Sequence, residues 1–444
     1  MAQLDTSGRV LQGWDPSKEE SWDSKIAWRT LWISTFSLTI AFCVWFLVSA
    51  IAPKLNQIGF DLSKAQLYWL AAIPGLSGGL MRLIYMFLPP VIGTRKLVGW
   101  SSLLFLIPMI GWFFAVQNPA TPYWWLLCLS AMTGIGGGSF AGYMPSTGYF
   151  FPKEKQGTAL GLQAGIGNFG VSLVQLLGPW VMGSAMLSLG LVMPAQAKDG
   201  GEIYVGNIAL FFIPWTIIAA VLAFLYLKDV PIKANFKQQI DIFGNKNTWI
   251  MTLIYVMTFG AFSGFSAQFA LLINNTFGAA SDFAATVPAD QLPKGLTYAF
   301  LGPLIGSAMR AAFGPLCDRF GGAIWTLISG AGMTFTTFLA ALYLHPTSVN
   351  DFWPFLAFML GMFFFSGVGN AGTFKQMPMI LPPRQAGGVI GWTSAIASFG
   401  PFFVGIALSG LDAQVFFFGS AVFFLICTVL TWIYYARPGA PFPG

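Results

Sequence analysis

Two arginines, Arg82 and Arg310, lie inside long apolar stretches with no acidic residue beside them. A charge near the centre of a bilayer costs about 2.5–3.5 kcal/mol even on the lenient insertion scale, so two in one chain need a reason. Their positions supply one. Arg82 stands eleven residues before Gly93 and Arg310 eleven residues before Gly321, each glycine opening a short charged loop. Eleven helical residues at 1.5 Å each put the guanidinium roughly 16 Å in from that boundary, close to half of a hydrocarbon core of about 30 Å. The same cation therefore recurs at the same depth in two parts of the chain, the pattern expected of a symmetric anion site. Guanidinium suits a planar oxyanion because its coplanar N–H donors form bidentate hydrogen bonds. The bland alternative is that each arginine binds helix carbonyls and holds the bundle together.

The elements that position these side chains are transmembrane helices. Hydrophobic residues make up 56% of the 444-residue chain and charged residues only 9%, far from soluble norms. Apolar stretches of about 20 residues recur near Trp28–Ile51, Gln66–Phe87, Leu97–Ala115, Trp124–Phe151, Gly157–Leu177, Ile208–Leu227, Trp249–Ile273, Tyr298–Phe313, Ile324–Leu344, Trp353–Met377, Gly387–Leu408 and Val415–Tyr435. The expected fold class is an all-α membrane protein of twelve transmembrane helices. The expected division is a tail over 1–25, a six-helix bundle over 26–227, a linker over 228–247, a second bundle over 248–436 and a tail over 437–444. The linker reading rests on Lys228, Asp229, Lys233, Lys237, Asp241 and Lys246.

The two halves repeat. KQGTALGLQAGIGNFG (155–170) aligns without a gap to QAGGVIGWTSAIASFG (385–400). Gly157, Gly161, Ile166, Phe169 and Gly170 recur as Gly387, Gly391, Ile396, Phe399 and Gly400, an offset of 230 against 228 for the arginines. Parallel repeats of this kind are pseudo-symmetric about the membrane normal and place a substrate site at their interface near the midplane. Gly161, Gly165 and Asn168 share one helical face, and Gly391, Ala395 and Ser398 the equivalent one. Small residues at this spacing let transmembrane backbones approach closely. Asn168 is the strongly polar member, able to donate to an oxyanion or simply to pack.

A formal net charge of +6 invites a nucleic-acid reading, which its distribution refutes. With the amino terminus inside, fifteen basic residues face the cytoplasm and only Lys54, Lys64, Lys198 and Lys294 face outside. That asymmetry obeys the positive-inside rule for a multi-pass protein of the cytoplasmic membrane with both termini cytoplasmic. The first 25 residues are polar and lack an apolar core, so the first span is expected to serve as its own insertion signal. The sixteen acidic residues are all expected in loops or tails, leaving no carboxylate in the spans to neutralise the arginines. Lys375 in the tenth span is a possible third cation, or a lysine reaching the interface. The four cysteines are scattered without CxxC spacing and read as small buried hydrophobes. Neither a metal nor a cofactor is expected, because His345, the one histidine, falls in an outer loop and no intramembrane ligand cluster is visible.

Three motifs carry a family resemblance. GPLCDRFGG (314–322), with Gly314, Asp318, Arg319 and Gly321, resembles the loop motif after the eighth helix of the major facilitator superfamily. AGIGNFGVSLVQ (164–175), with Gly165, Gly167 and Gly170, and GGVIGWTSAIASFGPF (387–402), with Gly391, Ser398 and Gly400, resemble the paired signatures of its nitrate/nitrite porters of NarK type. The resemblance implies the major facilitator fold, in two pseudo-symmetric six-helix bundles, and transport of nitrate, nitrite or both by alternating access. It also implies that Arg82 and Arg310 bind the anion, that Phe140 and Phe259 clamp it between their rings, and that Tyr255 donates its hydroxyl. On sequence alone those aromatics are core packing. Three departures stand out: Ala395, Ala397 and Ser398 stand where the second signature could be richer in glycine, the first-half loop VIGTRK has no acidic residue where GPLCDRFGG has one, and LPPRQ (381–385) is short. The expected partners are small inorganic anions and the bilayer, with the chain acting as a monomer and not as an enzyme. Nitrate/nitrite exchange is favoured over the alternative, proton-linked nitrate uptake, because the spans are expected to hold no Asp, Glu or His to carry the proton, with Lys375 the candidate coupling cation for the alternative. A small-anion channel is disfavoured by the twofold repeat.

Overall fold

A computed structural model describes residues 3–196, 201–231 and 241–442. Lys198, Lys233, Lys237 and residues 232–240 of the expected linker lie outside the described residues. The chain folds into twelve long helices: α1 Ser24–Ile58, α2 Lys64–Tyr85, α3 Thr94–Ala115, α4 Tyr123–Gly148, α5 Lys153–Met182, α6 Asn207–Tyr226, α7 Lys246–Thr276, α8 Gly295–Phe320, α9 Gly322–Ala341, α10 Phe352–Ile380, α11 Gly387–Gly410 and α12 Ala413–Ala436. Eleven are long and apolar enough to cross a membrane. The glycine-rich α4, at 26 residues, exceeds the length of about 20 that a span requires. Helices α1–α6 form one bundle and α7–α12 the other.

The repeat is visible in backbone geometry. Gly93 caps α3 at φ 81°, ψ 161° and Gly321 caps α9 at φ 84°, ψ 156°. A positive φ of this size favours glycine over any residue with a Cβ, which explains why both halves keep glycine at that boundary. The acidic residue missing from VIGTRK is supplied from elsewhere. Asp229, just after α6, accepts from the backbone N–H of Arg95 at 2.8 Å, satisfying one of the orphan donors in the first turn of α3. Burial pushes the Asp229 carboxyl above its ordinary value, against the lowering effect of that N–H.

The amino-terminal tail, read from sequence only as polar, is docked. Strands β1 Gln3–Leu4 and β2 Leu11–Gln12 pair as a hairpin. Leu11 N donates to Asp229 O, and Asp229 N to Arg9 O, both at 2.9 Å. The indoles of Trp14 and Trp22 donate to the carbonyls of Tyr149 and Phe150. The tail thus staples two connections of the first bundle, the one between α4 and α5 and the one after α6.

The bundles touch mainly on the far side of the arginines from the chain termini. A Cβ on Gly75 of α2 would come within 2.7 Å of the Phe402 backbone on α11, and one on Gly405 of α11 within 2.5 Å of Ala72. Gln175 Nε2 donates to Ser49 Oγ and, across the halves, to Ser266 O at 2.8 Å. On the terminal side, nothing lies within 4 Å of where a Cβ would stand at Gly157, Gly161, Gly314 or Gly387. The halves thus pack closely at these points on the far side, while the four glycines on the terminal side face open space.

Candidate functional site

Arg82 comes from α2 and Arg310 from α8, the equivalent helix of the other bundle. Both are buried, with relative exposures of 0% and 5%. Salt bridges form at Lys18–Asp15, His345–Asp412 and Lys375–Asp318, and among the described residues neither arginine has a carboxylate partner. Their surroundings differ. Arg82 Nε donates to Gly137 O at 2.9 Å, and its Nη1 reaches across the interface to Ser394 O at 3.0 Å. Its Nη2 and both terminal nitrogens of Arg310 have no hydrogen-bond partner. Three N–H-bearing nitrogens are thus held ready for an acceptor.

Aromatic rings build the walls. The Arg82 guanidinium carbon lies 4.6 Å from the Phe140 centroid, 5.1 Å from Phe259 and 5.4 Å from Trp45. That of Arg310 lies 5.1 Å from Phe374 and 5.9 Å from Phe140. Because Phe140 serves both, the two guanidinium carbons cannot be more than about 10.5 Å apart. Phe140 and Phe259 stack with centroids 6.4 Å apart at 28°. Tyr255 stacks on Phe259 at 5.5 Å and 10°, its hydroxyl buried without a partner. Each cation–π contact contributes about 0.5–2 kcal/mol, which offsets part of the burial cost but leaves two positive charges without a counter-ion.

The helix under this wall is not regular. Residues Val256–Gly260 of α7 form a π-turn between Tyr255 and Ala261, a feature frequent at functional sites. It sets the phase between the part of α7 that carries Tyr255 and the part that carries Phe262, which continues the stack from Phe259 at 6.0 Å.

The other expected residues fall into two groups. Asn168 is buried with neither amide atom partnered, and no hydrogen bond joins it to the arginines. The signature glycines divide by task. Gly167 faces Leu38 and Gly170 faces Thr39 and Phe42 on α1, while Gly400 meets Gly260 on α7. Gly165 faces Ala311 on α8, and Gly391 faces Met86. Ser398 is buried and bonds back to Ser394 O. Close packing explains Gly167, Gly170 and Gly400, but not Gly161, whose surroundings are empty.

Two expectations need correction. Helix α8 runs to Phe320, past the expected end at Phe313, so Asp318 and Arg319 belong to its last turns and not to a loop. The loop motif narrows to Gly321, and the expectation that every acidic residue lies outside the helices fails at Glu154, in the first turn of α5, and at Asp318. Lys375 accordingly is not a free third cation: its ammonium pairs with Asp318 at 2.5 Å, both side chains partly exposed on the terminal side. Among the cysteines, Cys128 is exposed, unlike the buried Cys43, Cys317 and Cys427. Sequence reasoning missed Trp45, Phe374 and the carbonyls of Gly137 and Ser394. The recurrence of Met-Pro at 144–145 and 377–378 aligns α4 with α10 but sets Thr373, the neighbour of Phe374, opposite Phe140, so it points to the helix and not to the residue.

Comparisons with known proteins agree with this geometry. The family model described as Major Facilitator Superfamily matches residues 34–398. A probable nitrate/nitrite antiporter NarK2 of Thermus thermophilus is 53% identical, covering 98% of each chain. The nitrate/nitrite transporter NarU of Escherichia coli is 34% identical over 96% of each. A crystal structure of a bacterial homolog to the human lysosomal transporter Spinster superposes with a TM-score of 0.65 at 15% identity, covering 92% of this chain and 97% of that one. With twelve helices in two repeated bundles, paired arginines at their interface and these relatives over its whole length, the chain belongs to the Major Facilitator Superfamily and, within it, to the nitrate/nitrite porter (NarK-type) family.

Proposed function

We propose that the chain is a secondary active transporter that exchanges nitrate and nitrite across the cytoplasmic membrane by alternating access. The observation that carries this reading is the pair of buried guanidiniums, one from each bundle, with three terminal nitrogens unpartnered and no carboxylate facing them among the described residues. The relatives named for nitrate and nitrite support the choice of anion.

The anion enters from the open terminal side and takes its first bidentate contact from Arg310. Arg82 Nη2 and the Tyr255 hydroxyl complete the grip, and the flat rings of Phe140 and Phe259 lie on either face. Without an anion the two charges repel by at least about 1.6 kcal/mol at 10.5 Å and an effective dielectric constant of about 20. The empty carrier therefore resists the closure that brings its halves together, whereas a bound monovalent anion offsets the repulsion. Closing the terminal side uses the empty face around Gly161 and opens the packed face around Gly75 and Gly405. Each anion that enters then requires one to leave, and no protonatable carboxylate is needed at the centre. In this reading bundles 26–227 and 248–436 rock as units joined by the linker 228–247. Both termini are cytoplasmic, the protein works as a monomer in the bilayer, and it catalyses no covalent step.

Proteoliposomes loaded with nitrite and diluted into labelled nitrate test the exchange. Saturable uptake that depends on internal anion supports it, and uptake indifferent to internal anion overturns it. Impermeant thiol labelling of cysteines placed at Arg9 and His345 tests orientation, with only the second reacting in intact cells.

A further inference from the structure

Asn370 on α10 is fully buried at 0% relative exposure, and neither its Nδ2 nor its Oδ1 has a hydrogen-bond partner. Leaving such an amide unpaired forfeits its hydration with nothing in return. Phe363, Gly367, Asn370 and Phe374 recur at helical spacing and share one face of α10. The contacts of its neighbours say where that face points. Phe363 packs on Phe262 of α7 at 6.3 Å, and Gly367 meets Gly306 of α8, one turn before Arg310. Phe374 lies under the Arg310 guanidinium at 5.1 Å and beside Tyr255 at 6.2 Å. Asn370 therefore sits between α7 and α8, at the level of Arg310, on the wall of the chamber.

The repeat shows that this amide breaks the symmetry of the site. The Met-Pro pairs align Gly137 of α4 with Asn370 of α10. Packing agrees: Gly136 meets Ala41 on α1, while the aligned Gly369 meets Thr258 on the equivalent α7. In the first half the position must be glycine, because Trp45 occupies the room a Cβ would need, at 2.6 Å. There the backbone carbonyl fixes Arg82. In the second half the aligned position carries an amide side chain, and the Arg310 terminal nitrogens stay unpartnered.

We propose that Asn370 is a specificity-determining residue of the anion site, its Nδ2 donating to the oxygen that nitrate has and nitrite lacks. This rests on the nitrate/nitrite reading above. Arg310 grips two oxygens of either anion through its fork, which makes that contact common to both. A donor aimed at the third oxygen acts on nitrate alone, and a site that leaves a buried donor unpaired rejects the analogue lacking its acceptor.

The experiment measures half-saturation for nitrate and nitrite by counterflow in proteoliposomes, for wild type, Asn370→Ser and Asn370→Leu. One lost hydrogen bond to a charged acceptor predicts nitrate weakened about tenfold, with nitrite within about threefold. An unchanged nitrate-to-nitrite ratio in a variant that still exchanges nitrite overturns the role of Asn370. Asn370→Asp gives a second readout that needs no transport. Its carboxylate opposite Arg310 should abolish the rise in melting temperature that nitrate produces in the wild type, and a preserved rise overturns the proposal. Failure of the wild type to exchange nitrate for nitrite overturns the underlying reading instead, so the two failures are distinguishable.

Discussion

Arg310→Gln separates a substrate site from a structural one. The guanidinium makes no hydrogen bond through Nη1 or Nη2, and its burial is offset only by the rings of Phe374 and Phe140. Burying the charge costs about 2.5–3.5 kcal/mol and two off-centre cation–π contacts return about 1–4 kcal/mol. The two terms nearly cancel, so removing the charge should leave the anion-free stability within about 2 kcal/mol of the wild type. Anion binding should suffer instead. Truncating one partner of a buried charge pair costs about 2–5 kcal/mol, which is a loss of at least about thirtyfold in affinity. The assay is thermal unfolding of purified protein with and without nitrate, paired with counterflow. At a hundred times its dissociation constant nitrate stabilises the wild type by about 2.7 kcal/mol, and that shift should vanish in the variant. A melting temperature well below wild type without anion, together with a preserved nitrate shift, would refute the reasoning and make Arg310 a structural residue.

Arg82→Gln should behave differently, lowering anion-free stability as well as transport, because it loses the bonds to Gly137 and Ser394; equal anion-free melting of the two Gln variants would contradict this. A flat anion between Phe140 and Phe259 needs rings about 7 Å apart, a small opening from 6.4 Å, so nitrate and nitrite should compete in uptake while sulfate does not. Phe140→Ala should relax that selectivity, and strong sulfate competition in the wild type would argue for a wider site. Gly161→Leu should fold and bind nitrate, since nothing lies near its Cβ position, yet lose exchange by blocking closure of the terminal side; normal exchange would rule that closure out. Asp229→Ala removes a cap on α3 and should cost about 1 kcal/mol of stability, read by thermal unfolding, with nitrate affinity unchanged.

Much of this was legible before any coordinates. The depth of Arg82 and Arg310 follows from counting residues to a boundary glycine, and the repeat from a gapless match around Gly161 and Gly391. Each depends on local pattern. What stayed hidden depends on partners distant in sequence. The π-turn at Val256–Gly260 leaves no periodicity signal because it shifts the helix by one residue under tertiary packing. Trp45 and Phe374 read as apolar filler until the guanidiniums are seen against their rings. The extra turns of α8 carried Asp318 into a helix and gave Lys375 its counter-charge. Asp229 could not be recognised as the substitute for the missing loop acid, because it lies 134 residues from the N–H it caps.

The central claim is obligatory exchange at a two-arginine site, and one measurement tests it most directly. Proteoliposomes are prepared with nitrite inside and, in parallel, with no internal permeant anion but an imposed pH gradient, acid outside. Rapid uptake of labelled nitrate only in the nitrite-loaded vesicles, abolished by Arg310→Gln, is the predicted result. Robust nitrate uptake driven by the pH gradient alone would contradict it.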